Sequence, residues 1–312
     1  MTETKIKRTE KPERAVIKKE HHRRSRQEQR ERAVTSLYML PSILGVLVFF
    51  VLPFFVVIYY SLIDSVNDPN FVGLENFARL FRNSAFLLAL KNTGIFSAIA
   101  VPLVVVIPLL LAMLLESELP AKSVFRTVFL SPMIVPAASV ILIWQMLFDY
   151  NGAINDITAI FGAGKIEWLK SDYGILVVVL LFLWKNIGYN MIMFMSALSA
   201  VPKDILEVAT LDGCNSVQRF FKIKLRYLVS SLSFVTIMSL INSFKVFREV
   251  YLLTGNYPYD SMYTLQHFMN NTFANYDYQK LSSAAVVLCL IMIVIISVLL
   301  FVDSKAGEGI EE

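Results

Sequence analysis

The 312-residue sequence is poor in charge and in the residue types that build most metal and redox sites. Charged residues make up 17% of the chain, against 56% hydrophobic residues, and the mean hydropathy is +0.58. A soluble globular domain rarely solvates so apolar a composition, so we expect an integral membrane protein. Its three histidines lack metal-site spacing, and no disulfide is expected between Cys214 and Cys289.

Nucleotide-binding and catalytic motifs are also missing. The nearest approach to the phosphate-binding pattern G-x-x-x-x-G-K-[ST] has Ala159 at the first glycine and Ile166 at the hydroxyl position. No nucleophile elbow, zinc-binding pair or paired intramembrane carboxylates are present. The chain is therefore predicted not to be an enzyme and to hold no cofactor, so any energy-yielding hydrolysis must come from a partner.

Long apolar runs dominate the rest of the chain, and each is close to the roughly 20 residues that a helix needs to cross a bilayer. Strand-type alternation is absent, which favours helices over a barrel. The sequence thus predicts an all-α membrane protein with six transmembrane helices, namely Leu37 to Leu62, Asn92 to Leu115, Val124 to Phe148, Gly174 to Leu198, Tyr227 to Phe247 and Leu281 to Val302.

The orientation follows from the positions of lysine and arginine, which resist transfer across the membrane during insertion. Twenty of the 29 cations fall before the first span, in the loops 116–126 and 199–226, or after the last span. These segments are predicted to be cytoplasmic, with both termini inside. The expected organisation is a basic tail at 1–36, a membrane domain at 37–302 and a short cytoplasmic tail at 303–312.

The tail at 1–36 carries 12 cations and six acidic residues but no aromatic residue. It lacks the features of a cleavable signal peptide, so we interpret it as a solvated topology determinant. Weak adhesion to anionic membrane lipid is an alternative, because each cation near the surface could contribute about 1 kcal/mol. No nucleic-acid partner is expected, since interspersed acidic residues oppose binding and nothing offers base stacking.

The cytoplasmic loop at about 200–226, called here the coupling segment, predicts a helix, a sharp turn and a second helix. Pro202 suits the first helical turn, and Gly213 can adopt the left-handed conformation that ends a helix. Asn215 and Gln218 then form a capping-box pattern for the second helix. That helix should carry an apolar face and a cationic face, formed by Val217, Phe220 and Phe221 and by Arg219, Lys222 and Lys224.

The same segment resembles the EAA loop of binding-protein-dependent ABC importer permeases, with Val208 and Arg226 departing from the pattern. The resemblance implies a type I permease bundle whose coupling segment docks in a cleft of a cytosolic ATPase subunit. The alternative is an ordinary interfacial helix packed on lipid headgroups. The residues that match the pattern are Glu207, Ala209, Asp212, Gly213, Phe220, Ile223 and Leu225.

Roles for four of these residues follow from the resemblance. Glu207 matches the glutamate that meets a basic residue on the ATPase, while Asp212 and Gly213 match the pair that fixes the turn. Ala209 is assigned to the same ATPase-coupling group. The expected partners are a second homologous permease, two ATPase subunits that hold ATP and Mg, an extracytoplasmic sugar-binding protein and membrane lipid. The chain itself is expected to be a multi-pass protein of the plasma membrane of a prokaryote.

The resemblance extends over nearly all of 37–302, and one stretch indicates the substrate class. SFKVFREVYLLTGNYP resembles a stretch of carbohydrate permeases of the maltose type that usually ends in Leu-Thr-Gly-Gly-Gly-Pro. Asn256 and Tyr257 replace two of those glycines. The resemblance implies import of a sugar or oligosaccharide.

A polar cluster in the fourth span predicts the substrate site, because polar residues within spans usually face a cavity or a partner helix. Lys185, Asn186, Tyr189 and Asn190 lie on one side of that helix. A sugar needs amides for its hydroxyls and an aromatic face, which Asn186 and Tyr189 provide with Trp184; the resemblance places Asn186 and Tyr189 in the sugar site.

In the fifth span, Ser239, Asn242 and Ser243 are interpreted as facing the same cavity, and the two serines join Asn186 and Tyr189 as predicted substrate residues. Hydrogen bonds between helices are an equally good explanation for Ser239 and Asn242.

Two other functions remain as alternatives. An ion-coupled secondary transporter of small polar solutes would need paired acidic residues or inverted repeats in the membrane, and no acidic residue falls deep in the six predicted spans. A membrane enzyme lacks a catalytic constellation. Five prolines within the spans are expected to kink helices or to free backbone carbonyls, namely Pro53, Pro102, Pro108, Pro132 and Pro136.

Overall fold

The computed structural model describes Glu31, residues 34–116 and residues 122–311, with side chains as far as 305. Within these residues the chain forms helices and loops, apart from one isolated antiparallel bridge between Ile63 and Phe71. The predicted all-α class is therefore confirmed. The chain divides into two compact units, residues 1–59 and 60–312. Most of the predicted basic tail lies outside the described residues.

The first unit contains most of helix α1, Val34–Ser61, a 28-residue apolar helix with mean hydropathy 2.7. Within it, Leu47–Val51 forms a π-helical segment. Pro53 lies two residues after this segment, and its missing N–H would have bonded to the carbonyl of Phe49. A local change in hydrogen-bond register is the usual way for a helix to absorb such a loss.

The second unit holds the remaining helices, which are joined by short loops and two 3₁₀ turns at Trp168–Lys170 and Asp260–Met262. In chain order they are α2 (Glu75–Phe81), α3 (Ser84–Glu116), α4 (Lys122–Ile134), α5 (Ala137–Leu147), α6 (Ala153–Ile160), α7 (Gly174–Ser199), α8 (Lys203–Leu211), α9 (Ser216–Arg219), α10 (Leu225–Phe244), α11 (Phe247–Thr254), α12 (Leu265–Ala274) and α13 (Tyr278–Glu311).

Helices α3 and α7 form the centre of this unit, and a proline in α3 explains one of the bonds between them. Pro108 has no N–H to donate to the carbonyl of Val104, four residues earlier. The side chain of Asn190 in α7 donates to that carbonyl at 2.8 Å. The polar group that the proline frees inside the bundle is therefore satisfied by a neighbouring helix, as a low-dielectric environment requires.

The predicted third span is not one straight helix. It is divided into α4 and α5, which meet at an angle of 101°. Pro136 caps α5 with extended backbone angles, φ −57° and ψ 131°, and a proline disfavours helical geometry at the residue before it. Five described helices are long and apolar enough to cross a membrane, or six if this bent pair counts as one span, in line with the predicted number.

A glycine lets α4 approach α7 closely. A Cβ atom at Gly188 would lie 2.0 Å from the carbonyl oxygen of Phe129 in α4, a distance that no side chain could accommodate. Only glycine therefore fits at position 188. This contact holds the end of α4 beside the polar cluster of α7.

The fifth span begins in the coupling segment without interruption. Helix α9 passes through a π-helical segment, Phe220–Lys224, directly into α10, so the helix does not break at Arg226, where the resembling family has proline. The whole helical run extends from Ser216 to Thr254. Lys224 forms a 2.6 Å salt bridge to Glu116, which ties this run to the end of α3.

Candidate functional site

A cavity of about 360 Å³ opens between the α4–α5 bend, α7, α10 and α11. Its size falls within the usual range for small-molecule sites. Apolar residues of α4, α5 and α7 form one part of its wall. The aromatic, amide and charged part is made by Trp184, Lys185, Asn186, Tyr189, Asn242, Arg248 and Glu249.

Asn186 and Tyr189 line this cavity, as the sequence predicts for substrate-binding residues. The Asn186 amide nitrogen donates to the carbonyl of Phe182 at 2.8 Å, which leaves its side-chain oxygen available as an acceptor. Trp184 lies beside them, with its ring 6.4 Å from that of Trp144. The wall therefore combines aromatic surface with amide groups, although binding by these residues is still a prediction.

Lys185 and Glu249 form a salt bridge across the cavity wall, between α7 and α11. The Glu249 side chain is nearly buried, whereas that of Lys185 is 43% exposed. The sequence predicts that the fifth span ends at Phe247, which leaves Glu249 outside the six predicted spans. In the structure the helical run continues to Thr254 and includes Glu249. The nearby lysine within α7 was the signal that a carboxylate partner was needed.

Arg248 brings a second cation to the cavity. Within the described part of the chain, its guanidinium forms no hydrogen bond and no salt bridge. The cavity wall therefore holds one neutralised cation and one unpaired cation.

The two serines predicted as substrate residues lie elsewhere. Ser243 is fully buried and its hydroxyl is 2.8 Å from that of Ser97 in α3, while Ser239 accepts a hydrogen bond from Asn190 at 3.1 Å. Neither serine lines the cavity, whereas Asn242 does. The structure thus places both serines in contacts between helices, the alternative that the sequence had left open for Ser239.

Asn190 also departs from the predicted polar face. At about 100° per residue it lies roughly 140° around the helix from Lys185, at the edge of the cluster. Its bonds to Val104 and Ser239 place it in the packing between α3, α7 and α10.

A buried histidine packs against α11. His267 in α12 packs its ring 4.6 Å from that of Phe247, and its Nδ1 lies 2.9 Å from the Thr264 hydroxyl. Its Nε2 is buried without a hydrogen-bond partner among the described residues. Burial lowers the pKa of His267 to about 4, so the ring is neutral near pH 7.

The coupling segment contains the predicted helix, turn and helix. Gly213 has φ +79°, its N–H bonds to the carbonyl of Thr210 at 3.1 Å, and the N–H of Cys214 bonds to that of Ala209 at 3.0 Å. These two bonds are the Schellman arrangement that ends α8. Asn215 and Gln218 then form the predicted capping box, with bonds of 2.8 and 3.0 Å.

Side chains of the coupling segment do not follow the simple two-faced pattern that was predicted. Val217 and Phe221 are more than half exposed, whereas Phe220 packs against the core around α7 and α10. Among the cations, Arg219 donates to the Thr210 hydroxyl at 2.8 Å and Lys224 pairs with Glu116. The cationic face is therefore partly used for internal contacts.

The four predicted coupling residues are distributed between surface and interior. Glu207, Asp212 and Gly213 are exposed, while Ala209 is buried under the turn. Beside them, Val208 and Leu211 also expose large apolar side chains. The outer surface of the segment thus combines acidic groups with unburied apolar area, which is typical of a protein-binding surface.

The fold is that of a multi-pass membrane protein with a helix–turn–helix segment between two of its long apolar helices. Residues 93–304 match the family described as binding-protein-dependent transport system inner membrane component, and the chain belongs to this family. The chain is a permease subunit, which translocates its substrate rather than converting it.

Three relatives illustrate the similarity. The chain is 30% identical to the sn-glycerol-3-phosphate transport system permease protein UgpA of Yersinia pestis, over 82% of this chain and 89% of the relative. It is 30% identical to the arabinooligosaccharides transport system permease protein AraP of Bacillus subtilis, over 89% and 91%. It is 28% identical to the probable starch degradation products transport system permease protein AmyD of Thermoanaerobacterium thermosulfurigenes, over 84% and 91%.

The fold is shared with a solved structure of a bacterial ABC transporter involved in the import of the acidic polysaccharide alginate. The TM-score is 0.77 at 17% sequence identity, and the likeness covers 90% of this chain and 99% of that chain. At this identity the likeness establishes the fold and no more.

Proposed function

We propose that this chain is the translocation subunit of an ATP-driven importer for a sugar or oligosaccharide. The observation that carries the proposal is the cavity wall of Trp184, Asn186 and Tyr189, which offers an aromatic face beside amide groups. Sugar rings stack their apolar face on aromatic side chains and exchange hydrogen bonds with amides. The names of AraP and AmyD, which refer to arabinooligosaccharides and starch degradation products, support the same substrate class.

The coupling segment is proposed to dock in an ATPase subunit, with Glu207 meeting a basic residue there. Its exposed apolar residues Val208 and Leu211 would be covered in the complex. Asp212, Gly213 and buried Ala209 would preserve the shape of the docking surface rather than supply its binding energy. ATP and Mg would be bound by the ATPase partner and not by this chain.

The complete importer is proposed to contain a second homologous permease, two ATPase subunits and an extracytoplasmic binding protein. A solved structure with the same fold contains a bacterial alginate ABC transporter in complex with an alginate pentasaccharide-bound periplasmic protein. This structure supports the proposal of a binding protein as partner. Both termini would lie in the cytoplasm of a prokaryote, with the apolar helix faces in membrane lipid. No nucleic-acid partner is proposed.

The cavity assignment can be tested by uptake into proteoliposomes that contain the complete importer. Asn186→Ala and Tyr189→Ala should reduce sugar uptake while the subunits still copurify. Both changes remove groups from the cavity wall, and the hydrogen bond that Asn186→Ala breaks, to the carbonyl of Phe182, lies within α7. Tyr227→Ala is the matched control, since Tyr227 is similarly exposed but lies outside the cavity. Normal uptake by both cavity variants would refute the assignment.

The same vesicles test the energy source. Uptake should require ATP with the ATPase subunits present and should persist when ionophores collapse the ion gradients. Uptake that follows an ion gradient without ATP would instead support an ion-coupled transporter.

The ATPase contact is tested separately by charge reversal. Glu207→Lys should lower copurification of the ATPase, and Glu207→Gln should lower it less, because the first change opposes a basic partner residue and the second only removes the attraction. Unchanged copurification with Glu207→Lys would remove Glu207 from the docking surface.

A further inference from the structure

The charge of the cavity wall carries an inference about the substrate that goes beyond its being a sugar. Three charged side chains line the cavity, namely Lys185, Arg248 and Glu249. Lys185 and Glu249 neutralise each other in a salt bridge. The wall is therefore left with the single positive charge of Arg248.

Arg248 is free to bind a ligand. Its side chain is exposed to the cavity, and among the described residues it makes no hydrogen bond or salt bridge. It also lies six residues before the end of the helical run Ser216–Thr254, part of which is apolar enough to cross a membrane. A cation beside such a span that lines a cavity and has no compensating partner indicates a binding function.

We propose that the substrate is a sugar bearing an oxyanion, either a carboxylate or a phosphate, and that Arg248 binds this group. The inference rests on the proposed function as a sugar importer and narrows its substrate class. A guanidinium presents its N–H donors in a planar fork that matches two oxygens of a carboxylate or phosphate.

The surrounding wall fits the remainder of such a ligand. Asn242 lies on α10 and Asn186 and Tyr189 lie on α7, so amide groups and an aromatic ring reach the cavity from more than one helix. These groups suit the hydroxyls and the apolar face of a sugar ring. The oxyanion would therefore be held by α11 while the ring is held by α7 and α10.

Lys185 is the other cation that an anionic substrate would meet, but it already forms a salt bridge with Glu249. The carboxylate of Glu249 is nearly buried and would be left uncompensated if Lys185 moved to a ligand. Glu249 would also repel an anion placed close to it. The first effect favours binding of the anion at Arg248 rather than at Lys185, because Arg248 has no partner to lose among the described residues.

The test uses the complete importer in proteoliposomes with ATP inside, supplied in turn with mixtures of anionic and of neutral sugars. One mixture contains uronic-acid oligosaccharides from plant polysaccharides, and its control is the same mixture after reduction of the carboxyls to alcohols. Two further mixtures contain sugar phosphates and neutral starch oligosaccharides. Mass spectrometry identifies the sugars that enter the vesicles.

We expect members of the uronic-acid or the sugar-phosphate mixture to enter, and the carboxyl-reduced mixture to enter poorly. Entry of one and not the other distinguishes carboxylate from phosphate as the anion. Arg248→Gln should reduce that uptake about tenfold or more, as the loss of a charge-assisted hydrogen bond predicts, and Arg248→Lys should reduce it less.

The matched control is Lys245→Gln, which removes an exposed cation three residues away that does not line the cavity. It should leave uptake unchanged. Entry of neutral oligosaccharides alone, unaffected by Arg248→Gln, would overturn the inference while the sugar importer stands. Loss of subunit assembly in Arg248→Gln would also overturn it, because Arg248 would then serve packing between subunits. Failure of every mixture to enter would refute the sugar importer itself.

Discussion

The coupling segment and the cavity are held in shape by contacts of different range. In the coupling segment, bonds join residues that are neighbours in the chain, such as Gly213 with Thr210 and Asn215 with Gln218. In the cavity region, Lys185 pairs with Glu249 across 64 positions, and Gln145 of α5 donates to the carbonyl of Leu253 across 108.

This difference separates two kinds of sensitivity. The coupling segment obtains its shape from its own backbone and exposes side chains that a partner can bind. The cavity exists only where α5, α7, α10 and α11 pack together. Changes in the coupling segment should therefore affect binding of a partner, whereas changes around the cavity should affect the stability of the bundle or the choice of substrate.

The largest expected effect is that of Gly213→Val. No atom lies within 4 Å of the position that its Cβ would take, so the cost comes from the backbone, which has φ +79°. A β-branched residue is strongly disfavoured at such an angle, and the turn should reorganise. We expect loss of ATPase copurification and of uptake, with insertion in the membrane retained.

Gly213→Asn is the matched control for that change, because asparagine tolerates left-handed angles far better than valine. It should retain most of the ATPase binding. If the valine variant binds ATPase and transports as well as the unmodified protein, the turn does not determine coupling.

The next effect concerns pH and comes from His267, which packs against Phe247 of α11. His267 has a folded-state pKa of about 4, against 6.5 for an unperturbed histidine, so the unfolded chain takes up the proton first as the pH falls. Stability should be complete above about pH 7 and should decrease by up to about 3 kcal/mol between pH 6.5 and pH 4.

Thermal unfolding of the purified protein at a series of pH values measures this loss, with His267→Gln as the comparison. The glutamine variant should lose less stability on acidification, because its side chain does not titrate. An identical pH dependence in both proteins would show that other groups cause it. The coupling segment has no histidine.

A smaller effect is expected when the salt bridge in the cavity wall is broken. Glu249→Gln leaves Lys185 unpaired, and we expect a loss of roughly 1–3 kcal/mol, at the lower end because Lys185 is partly solvated. The double variant Lys185→Gln with Glu249→Gln should regain much of this stability. Thermal unfolding of Glu249→Gln, Lys185→Gln and the double variant measures this. If the loss of stability in the double variant equals the sum of the losses in the two single variants, the two side chains do not stabilise the protein as a pair.

The smallest effect is expected for Ser243→Ala. Its hydroxyl bonds to Ser97 within the bundle, and such contacts between membrane helices contribute about 0.6 kcal/mol on average. Unfolding should shift slightly while the half-saturating sugar concentration for uptake stays the same. A clear change in that concentration would mean that Ser243 contributes to substrate binding.

The difference in contact range also explains what the sequence could predict. Gly213 and the Asn215 capping box were found because their bonds join near neighbours whose residue types favour one local conformation. Ser239 and Ser243 were assigned to the cavity, and Asn190 to the same helix side as Asn186. Periodicity gives the side of a helix on which a polar residue lies but not the neighbouring helix that this side contacts. Their actual partners, Val104 and Ser97 among them, become visible only once α3 packs against α7 and α10.

The ends of the helices were the other source of difference. The hydropathy of the fifth span falls at Phe247, so Arg248 and Glu249 were placed in the following loop. In the structure α11 follows α10 after two residues, and packing against α5 and α12 supports it. Similarly, hydropathy alone could not show that the run Val124 to Phe148 turns by 101° at Pro136.

The uninterrupted passage from α9 through the π-helical segment into α10 has a mechanical consequence. Ser216–Phe244 would measure roughly 43 Å as a regular helix, and Lys224, held by Glu116, lies about 12 Å from the Ser216 end. A helix that moves as a rigid rod would convert a lateral push at Ser216 into a tilt about Lys224. The far arm is more than twice as long as the near one. A movement of 1 Å at the turn would thus displace the Asn242 end by roughly 2 Å in the opposite direction.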